Sequence, residues 1–291
     1  MERDRRPKRL SGRGVARAAA HAVAGVVALF ALYVALVHFG FLRSPFDPVL
    51  RGDVALARSD APGLRVLFVG NSFTFSNSLP ELVHELAAAD DGAPPIYAVG
   101  YTAGGWSLRR ASRNARLREL LHDVEWDVVV LQERSMLLSF SAGERAQETD
   151  PFARALDARI DASGARTMLF MTWGYKSGDS WNVRGDTYEA MQERLETGYI
   201  ELGRKLDAQV VPVGLAWAQA LVRRPGLDLW ADDGRHPSRL GSYLAACVFY
   251  AVLSARDPTM SRFDGGLSRS DARLLRDVAR EAVAEFERPR H

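Results

Sequence analysis

Uninterrupted apolar runs, separated by stretches with helical periodicity, are the feature that most limits how this chain can fold. Runs such as VLFV and VVVL show none of the alternation expected of a strand with one face in water. They are typical of strands covered on both faces, as in a parallel sheet. We predict five such strands, in segments 64–69, 94–102, 126–131, 165–173 and 208–214. Since each is followed by a helical pattern, the sequence predicts an α/β fold with a doubly wound, mainly parallel sheet between two helical layers.

The basic charge of the chain is concentrated at its beginning. Residues 1–17 contain seven Lys or Arg and two acidic residues, a formal charge of +5. The whole chain carries only +2, so the remainder is slightly acidic. A nucleic-acid-binding domain needs a basic face, and we therefore expect no nucleic-acid partner.

The segment that follows, residues 18–42, reads AAAHAVAGVVALFALYVALVHFGFL and contains no Asp, Glu, Lys or Arg. It is long enough to cross a hydrocarbon core of about 30 Å as a helix. We predict an uncleaved transmembrane signal anchor, because no small-x-small cleavage site follows the apolar run. The alternative is a buried hairpin helix of a soluble domain. The position of segment 18–42 behind a basic tail favours the anchor. Residues 1–17 would then lie in the cytoplasm and the residues after the anchor outside the membrane.

Composition after the apolar segment predicts a linker and one large domain. Residues 43–63 are rich in Pro, Gly and scattered charges, which is typical of a linker. Residues 64–291 can form a single core. The only cysteine, Cys247, lies in an apolar helical run, so no intramolecular disulfide can form and we expect a buried thiol. No feature of the sequence indicates an oligomeric state.

The first strand ends in a polar turn, GNSFTFSNS, before the next helical pattern begins. This turn exposes a hydroxyl, and Ser72 is a candidate nucleophile if a base lies nearby. The ordinary alternative is a strand-to-helix loop in which Ser76, Asn77 or Ser78 caps the helix ahead of Pro80.

Only one of the six histidines, His236, lies in a loop with a carboxylate close before it. In the sequence Asp233-Gly-Arg-His236-Pro, the carboxylate can accept the Nδ1–H of the imidazole and leave Nε2 free to take a proton from a hydroxyl. The alternative is a capping aspartate beside a surface histidine. In a doubly wound sheet, loops at the carboxyl ends of the strands gather at one edge, which would bring Ser72 and His236 together.

The order of these blocks resembles that of the SGNH, or GDSL-type, hydrolases, and is most similar to the subgroup whose first block reads Gly-Asn-Ser-Phe. The resemblance covers residues 64 to the last helix and implies a flavodoxin-like SGNH hydrolase fold. It implies Ser72 as nucleophile, His236 as base and Asp233 as the residue that orients the base. It also implies an oxyanion hole made by the N–H of Ser72, the N–H of Gly105 and the side chain of Gln132, with Gly104 as an alternative to Gly105.

This chain departs from the family pattern at two blocks. Asn71 stands where the family usually has Asp before the serine, and Gln132-Glu133 replaces the usual Asn-Asp. Gln retains an N–H donor, so an oxyanion role requires the backbone to lie further back.

Other chemistries lack their sequence signatures. The chain has no HExxH, no paired cysteines and no histidine cluster, so we expect no bound metal. The glycines of VGYTAGGW lack the GxGxxG spacing of a dinucleotide site, and we expect no cofactor.

Aromatic residues in the loops suggest what is bound. Trp106, Trp173 and Tyr175 are candidate substrate-binding residues, because aromatic faces in polar loops suit sugar rings. We therefore expect an esterase that removes short acyl groups, acetyl above all, from carbohydrate or related esters outside the membrane. The alternatives are an envelope polysaccharide O-acyltransferase and a catalytically silent carbohydrate-binding domain on the same fold.

Overall fold

The computed structural model describes residues 23–32 and 47–288, which belong to two compact units divided after Asp47. In the first unit, helix α1 covers residues 23–32, all of them exposed. Across the described ranges, helices are either too short or too polar to cross a bilayer. The predicted signal anchor at 18–42 lies mostly outside the described residues, as does the whole basic tail 1–17, and both remain predictions.

A six-stranded sheet forms the centre of the second unit. Its strands are β1 (Val49–Arg51), β2 (Leu64–Gly70), β3 (Ile96–Thr102), β4 (Val128–Leu131), β5 (Arg166–Phe170) and β6 (Gln209–Val211). Their order is β1-β3-β2-β4-β5-β6; β2 to β6 are parallel, and β1 is antiparallel to β3. The five parallel strands lie within the five predicted segments, except that β2 extends one residue further, to Gly70, and this confirms the α/β prediction.

Helices surround this sheet in two groups. The helices are α2 (Val54–Ala57), α3 (Ser72–Phe75), α4 (Leu79–Ala88), α5 (Leu108–Ser112), α6 (Ala115–Asp123), α7 (Ala142–Glu148), α8 (Asp150–Ala162), α9 (Tyr188–Leu206), α10 (Val213–Arg223), α11 (Arg239–Ser254) and α12 (Arg269–Phe286). Helices α4, α10 and α12 contact α11, whereas α5, α6, α7 and α9 contact α8. Two such groups are what a sheet covered on both faces requires.

Local signals fix where the helices begin. Thr187 and Ser268 lie just before α9 and α12, and each side chain accepts a hydrogen bond from the N–H three residues on. The helical pattern that follows β3 is divided into α5 and α6. Asn114 causes the break, since its side chain caps α6 by accepting from the N–H of Leu117 at 2.8 Å.

The folded unit begins earlier than the sequence predicts. Residues 49–51 pair with β3 at the edge of the sheet, and Arg51 donates hydrogen bonds to Oγ1 and O of Thr102 at 2.6 and 3.1 Å. Helix α2 also contacts β3. The prediction of a linker is therefore wrong for residues 49–57. A strand of three residues is too short to leave a recognisable pattern.

Candidate active site

The Ser72 turn, residues 70–75, comprises the last residue of β2, Asn71 and the short helix α3, of which Ser72 is the first residue. Asn71 is the N-cap of this helix, and its Oδ1 accepts from the N–H two residues on at 3.2 Å. Gly70 allows a close approach to β4, since a Cβ there would lie 2.6 Å from Oε1 of Gln132. The turn therefore holds Ser72 at the carboxyl end of β2, an interior parallel strand, where ligands of such sheets bind.

Gln132 lies beneath the Ser72 turn with only 1% of its surface exposed. Its Oε1 accepts from the N–H of Asn71 at 2.9 Å and from the hydroxyl of Thr74 at 3.0 Å. Its Nε2 donates to the carbonyl of Glu133. The oxygen and the nitrogen of this amide both hydrogen-bond to groups in the interior. The structure therefore gives Gln132 a supporting role and does not bring it to Ser72 as the predicted oxyanion donor. The extra methylene lets the side chain fold under the turn.

The glycine turn, residues 103–106, lies beside the Ser72 turn. The N–H of Trp106 bonds to the carbonyl of Ala103 at 3.3 Å, and Gly105 adopts a left-handed conformation with φ of 60°. Nδ2 of Asn71 donates to the carbonyl of Trp106 at 2.9 Å, which ties the two turns together. Gly104 is half-buried and Gly105 is exposed. Their N–H groups lie between the bonded ends of the turn and are not used in closing it.

The His236 loop, residues 229–238, carries the other predicted residues. Its two arms are joined by hydrogen bonds from the N–H of Ala231 to the carbonyl of His236 at 2.8 Å and from the N–H of Ser238 to the carbonyl of Leu229 at 2.8 Å. Oδ1 of Asp233 accepts from the backbone N–H of His236 at 3.0 Å, which closes the short loop between them.

The structure brings Ser72, His236 and Asp233 into one hydrogen-bonded chain. Nε2 of His236 lies 2.8 Å from Oγ of Ser72, although 163 residues separate the two positions along the chain. Nδ1 of His236 bonds to Oδ2 of Asp233. With the proton on Nδ1, Nε2 is the acceptor for the serine hydroxyl, which is the arrangement of a base beside a nucleophile.

Hydrogen bonds favour the ionised form of Asp233. Partial burial opposes ionisation, but the bonds from the His236 side chain and from the N–H groups of Arg235 and His236 outweigh it and lower the pKa of Asp233 to about 2. The carboxylate is therefore ionised at neutral pH and can stabilise a proton held by the imidazole.

Glu133 is a buried acid at the same edge of the sheet. Its Oε1 accepts from the N–H of Leu108 at 3.1 Å and of Arg134 at 2.6 Å. Burial raises the pKa of Glu133 to about 7, against the lowering effect of these N–H groups. Since Leu108 begins α5, Glu133 fixes the end of the segment that contains the glycine turn. Its place after Gln132 was visible in the sequence, but its contacts depend on the fold.

The three aromatic residues predicted to bind substrate are buried. Trp173 has no exposed surface and stacks between Phe73 and Trp217, with ring centroids 4.7 and 4.1 Å away. Trp106 and Tyr175 are 4% and 5% exposed. The expectation that these side chains present a face to a sugar is therefore wrong, because all three are buried and ring stacking uses both faces of Trp173.

Trp173 and Phe73 instead support the base. The Phe73 ring lies edge-on to the imidazole of His236, with centroids 5.6 Å apart. Nε1 of Trp173 donates to the carbonyl of Arg235 at 3.0 Å. Trp181, in the same polar segment as Trp173 and Tyr175, is in contrast 84% exposed.

Within residues 23–32 and 47–288, no group of acidic, His and Cys side chains could hold a metal ion.

Comparison with known proteins identifies the fold. No protein-family model and no curated protein matches this sequence. Among solved structures, a DUF4886 family protein from Bacteroides uniformis is 20% identical with a TM-score of 0.67, covering 78% of this chain and 97% of its own. A proposed SGNH hydrolase from Slackia heliotrinireducens is 26% identical with a TM-score of 0.54, covering 66% of this chain and 99% of its own.

A third similar structure, the acetyl xylan esterase AlAXEase, is 15% identical with a TM-score of 0.51, covering 65% of this chain and 100% of its own. The protein therefore has the fold of the SGNH/GDSL-type hydrolases.

Proposed function

We propose that this protein is a serine ester hydrolase in which Ser72 is the nucleophile, His236 the general base and Asp233 the residue that orients the base. The observation that carries the proposal is the 2.8 Å separation between Oγ of Ser72 and Nε2 of His236, with Nδ1 bonded to an ionised carboxylate. The shared fold with SGNH/GDSL-type hydrolases supports the same reaction class.

The reaction proceeds through an acyl-enzyme. Oγ of Ser72 attacks the ester carbonyl while Nε2 of His236 takes the hydroxyl proton and passes it to the departing alcohol. Water, deprotonated by the same nitrogen, then attacks the acyl-serine and releases the acid. Ionised Asp233 stabilises the imidazolium formed in each step.

The developing oxyanion is held by backbone N–H groups. Ser72 is the first residue of α3, so its N–H has no acceptor within that helix. Gly105 supplies the second donor from the glycine turn, which Asn71 holds against the Ser72 turn. Gln132 acts through Asn71, by accepting its N–H. Each such donor contributes about 3 kcal/mol to transition-state stabilisation.

The proposed substrates are short acyl esters, acetyl above all, of carbohydrates. Support comes from the exposed Trp181, whose loop is joined to the His236 loop by the N–H of Lys176 donating to the carbonyl of Gly234 at 2.8 Å. An exposed indole in a loop joined to the His236 loop suits stacking on a sugar ring. The fold shared with an acetyl xylan esterase also favours this substrate class.

The proposed location is outside the cytoplasmic membrane, with residues 18–42 as the anchor. The uncharged run and the basic residues before it support this orientation. Protease treatment of intact spheroplasts should remove the folded domain and leave residues 1–42 with the membrane fraction. Recovery of the intact chain in the soluble cytoplasmic fraction would contradict the location.

The activity is tested on the full chain in detergent. We expect hydrolysis of p-nitrophenyl acetate, slower hydrolysis of longer-chain esters, and release of acetate from acetylated xylan. Ser72→Ala should abolish all three, whereas Ser76→Ala, four residues along the same segment, should retain them. A wild-type protein inert to every ester would contradict the proposal, and transfer of acetyl to an added glycan without acetate release would identify an acyltransferase.

A further inference from the structure

We propose that Asn77 is a positioning residue that fixes the His236 loop relative to Ser72. The inference rests on the proposed hydrolase function and extends it to a side chain outside the triad. Asn77 lies five residues after Ser72, between α3 and α4.

The side-chain amide of Asn77 reaches three acceptors next to the base. Nδ2 lies 3.1 Å from the carbonyl oxygens of Pro237 and Ser238 and 2.9 Å from Oγ of Ser242. Pro237 and Ser238 directly follow His236 in the chain, and an amide NH₂ has two hydrogens to share among such acceptors. A single side chain thus connects the segment carrying the nucleophile to the segment carrying the base.

The backbone at this position is strained. Asn77 has φ of 53° and Ser78 has φ of 55°, both in the left-handed region that residues with a Cβ disfavour. Asn tolerates this region better than most residues, and it presents its amide to the His236 loop from there.

Helix capping does not explain the strain. Ser78 occupies the N-cap position of α4, but its side chain makes no capping hydrogen bond. The amide of Asn77 is used on the His236 loop. The side chains of Asn77 and Ser78 therefore do not cap the helix, which was the alternative interpretation of this turn. The bonds to the His236 loop compensate for the strained backbone.

The His236 loop is held from two sides, and on the Ser72 side Asn77 adds bonds to Pro237 and Ser238 beside the bond between Ser72 and His236. On the β5 side, Nε1 of Trp173 and the N–H of Lys176 donate to the carbonyls of Arg235 and Gly234. On the Ser72 side, the Phe73 ring contact with His236 is apolar and fixes no hydrogen-bond direction. Without the Asn77 amide, the loop keeps its β5 contacts, and the bond between His236 and Ser72 must hold its own geometry without the bonds to Pro237 and Ser238 beside it.

The test compares Asn77→Gly with Ser78→Gly in the full chain. Both glycines relieve a left-handed backbone, but only Asn77→Gly removes the amide. For p-nitrophenyl acetate, Asn77→Gly should lower kcat by about 10- to 100-fold with KM nearly unchanged, the scale expected for a displaced catalytic group. The rate of Ser72 modification by a sulfonyl fluoride should fall in parallel, because it also requires the base. Ser78→Gly should leave both rates within about twofold of wild type.

Denaturation curves of each variant separate positioning from folding. Asn77→Gly should unfold at a denaturant concentration close to that of the wild type while its kcat is reduced. The inference is overturned if Asn77→Gly keeps the wild-type kcat, if Ser78→Gly loses as much, or if the loss of activity follows a loss of folded protein. Failure of the hydrolase proposal itself gives a different result, a wild type no more active than Ser72→Ala.

Discussion

The two halves of the proposed catalytic site are built differently. The Ser72 half rests on buried polar groups: Asn71, Gln132 and Glu133 are each at most 2% exposed and hydrogen-bond to one another or to nearby backbone. In the other half, the side chains of His236 and Asp233 are 40% and 47% exposed. The nucleophile is therefore held by the interior of the domain, whereas the base depends on a few bonds at the surface.

This difference predicts that substitutions in the two halves have separable effects. Changes to the exposed half should reduce catalysis and leave the fold intact, because exposed side chains contribute little to stability. Changes to the buried half should reduce stability first, because they leave buried donors or acceptors unpaired or open cavities.

The largest expected effect is that of His236→Ala. Removing the base should lower kcat by at least about 10⁴-fold, because Ser72 can no longer lose its proton. The free energy of unfolding should change by less than about 1 kcal/mol. Ester hydrolysis and urea denaturation measured on the same preparation check both numbers, and His122→Ala, at an exposed helical histidine, is the control that should alter neither.

Trp173→Ala tests a buried side chain that contacts both halves, through Phe73 of the Ser72 turn and the carbonyl of Arg235 in the His236 loop. Removing an indole stacked between Phe73 and Trp217 should lower the free energy of unfolding by about 3–5 kcal/mol. Trp181→Ala is the matched control, since this exposed indole should contribute little to folding. A Trp173→Ala protein of wild-type stability with an increased KM for glycan esters would restore the original expectation of a substrate-binding role.

Glu133 should make stability depend on pH. Its pKa is raised from about 4.5 to about 7 by burial, so the folded protein holds a proton that the unfolded chain releases between these values. Stability should therefore fall as pH rises through this window, by up to about 3 kcal/mol. Glu133→Gln keeps an oxygen to accept the N–H groups of Leu108 and Arg134 and should remove that part of the dependence.

Urea denaturation at pH 5 and pH 8 measures the contribution of Glu133 as the difference between wild type and variant. The exposed Glu125→Gln serves as control and should keep the wild-type pH dependence. A Glu133→Gln protein with the wild-type pH dependence would show that this carboxyl is ionised in the folded protein.

The smallest expected effect is on the edge strand β1, which belongs to neither half of the site. It tests where the folded domain begins. Deleting residues 1–47 should leave the free energy of unfolding of the domain unchanged. Deleting residues 1–60 removes β1 and the carbonyls of Ala57 and Ser59 that accept from Arg65, and should cost about 2 kcal/mol. Equal stability of the two deletions would mean that residues 49–60 act as a linker after all.

Sequence patterns predicted those features that residue type and local spacing determine by themselves. The parallel strands are recognisable because they are apolar on both faces, and the Asp233-x-x-His236 spacing allows contact without knowledge of the fold. In contrast, Trp173 and Trp181 stand in the same polar stretch, yet one is buried and the other is exposed. That difference comes from stacking against Trp217, more than 40 residues away in the chain.

The roles of side-chain amides were also beyond the sequence. Gln132 and Asn77 each carry an amide that could have served several purposes. Gln132 bonds under the Ser72 turn because β4 ends beside β2, and Asn77 bonds to the His236 loop because that loop ends just before α11, beside Asn77. A hydrogen-bonding residue type therefore predicts a capacity, and only the fold determines which partner it meets.

The most direct test of the proposed chemistry is to find which residue becomes covalently labelled. The full chain is treated with a fluorophosphonate, digested and analysed by mass spectrometry, beside His236→Ala. We expect a single adduct, on Ser72, forming much more slowly in the variant. An adduct on another residue, or labelling of Ser72 at an unchanged rate without His236, would contradict the proposed pairing of nucleophile and base.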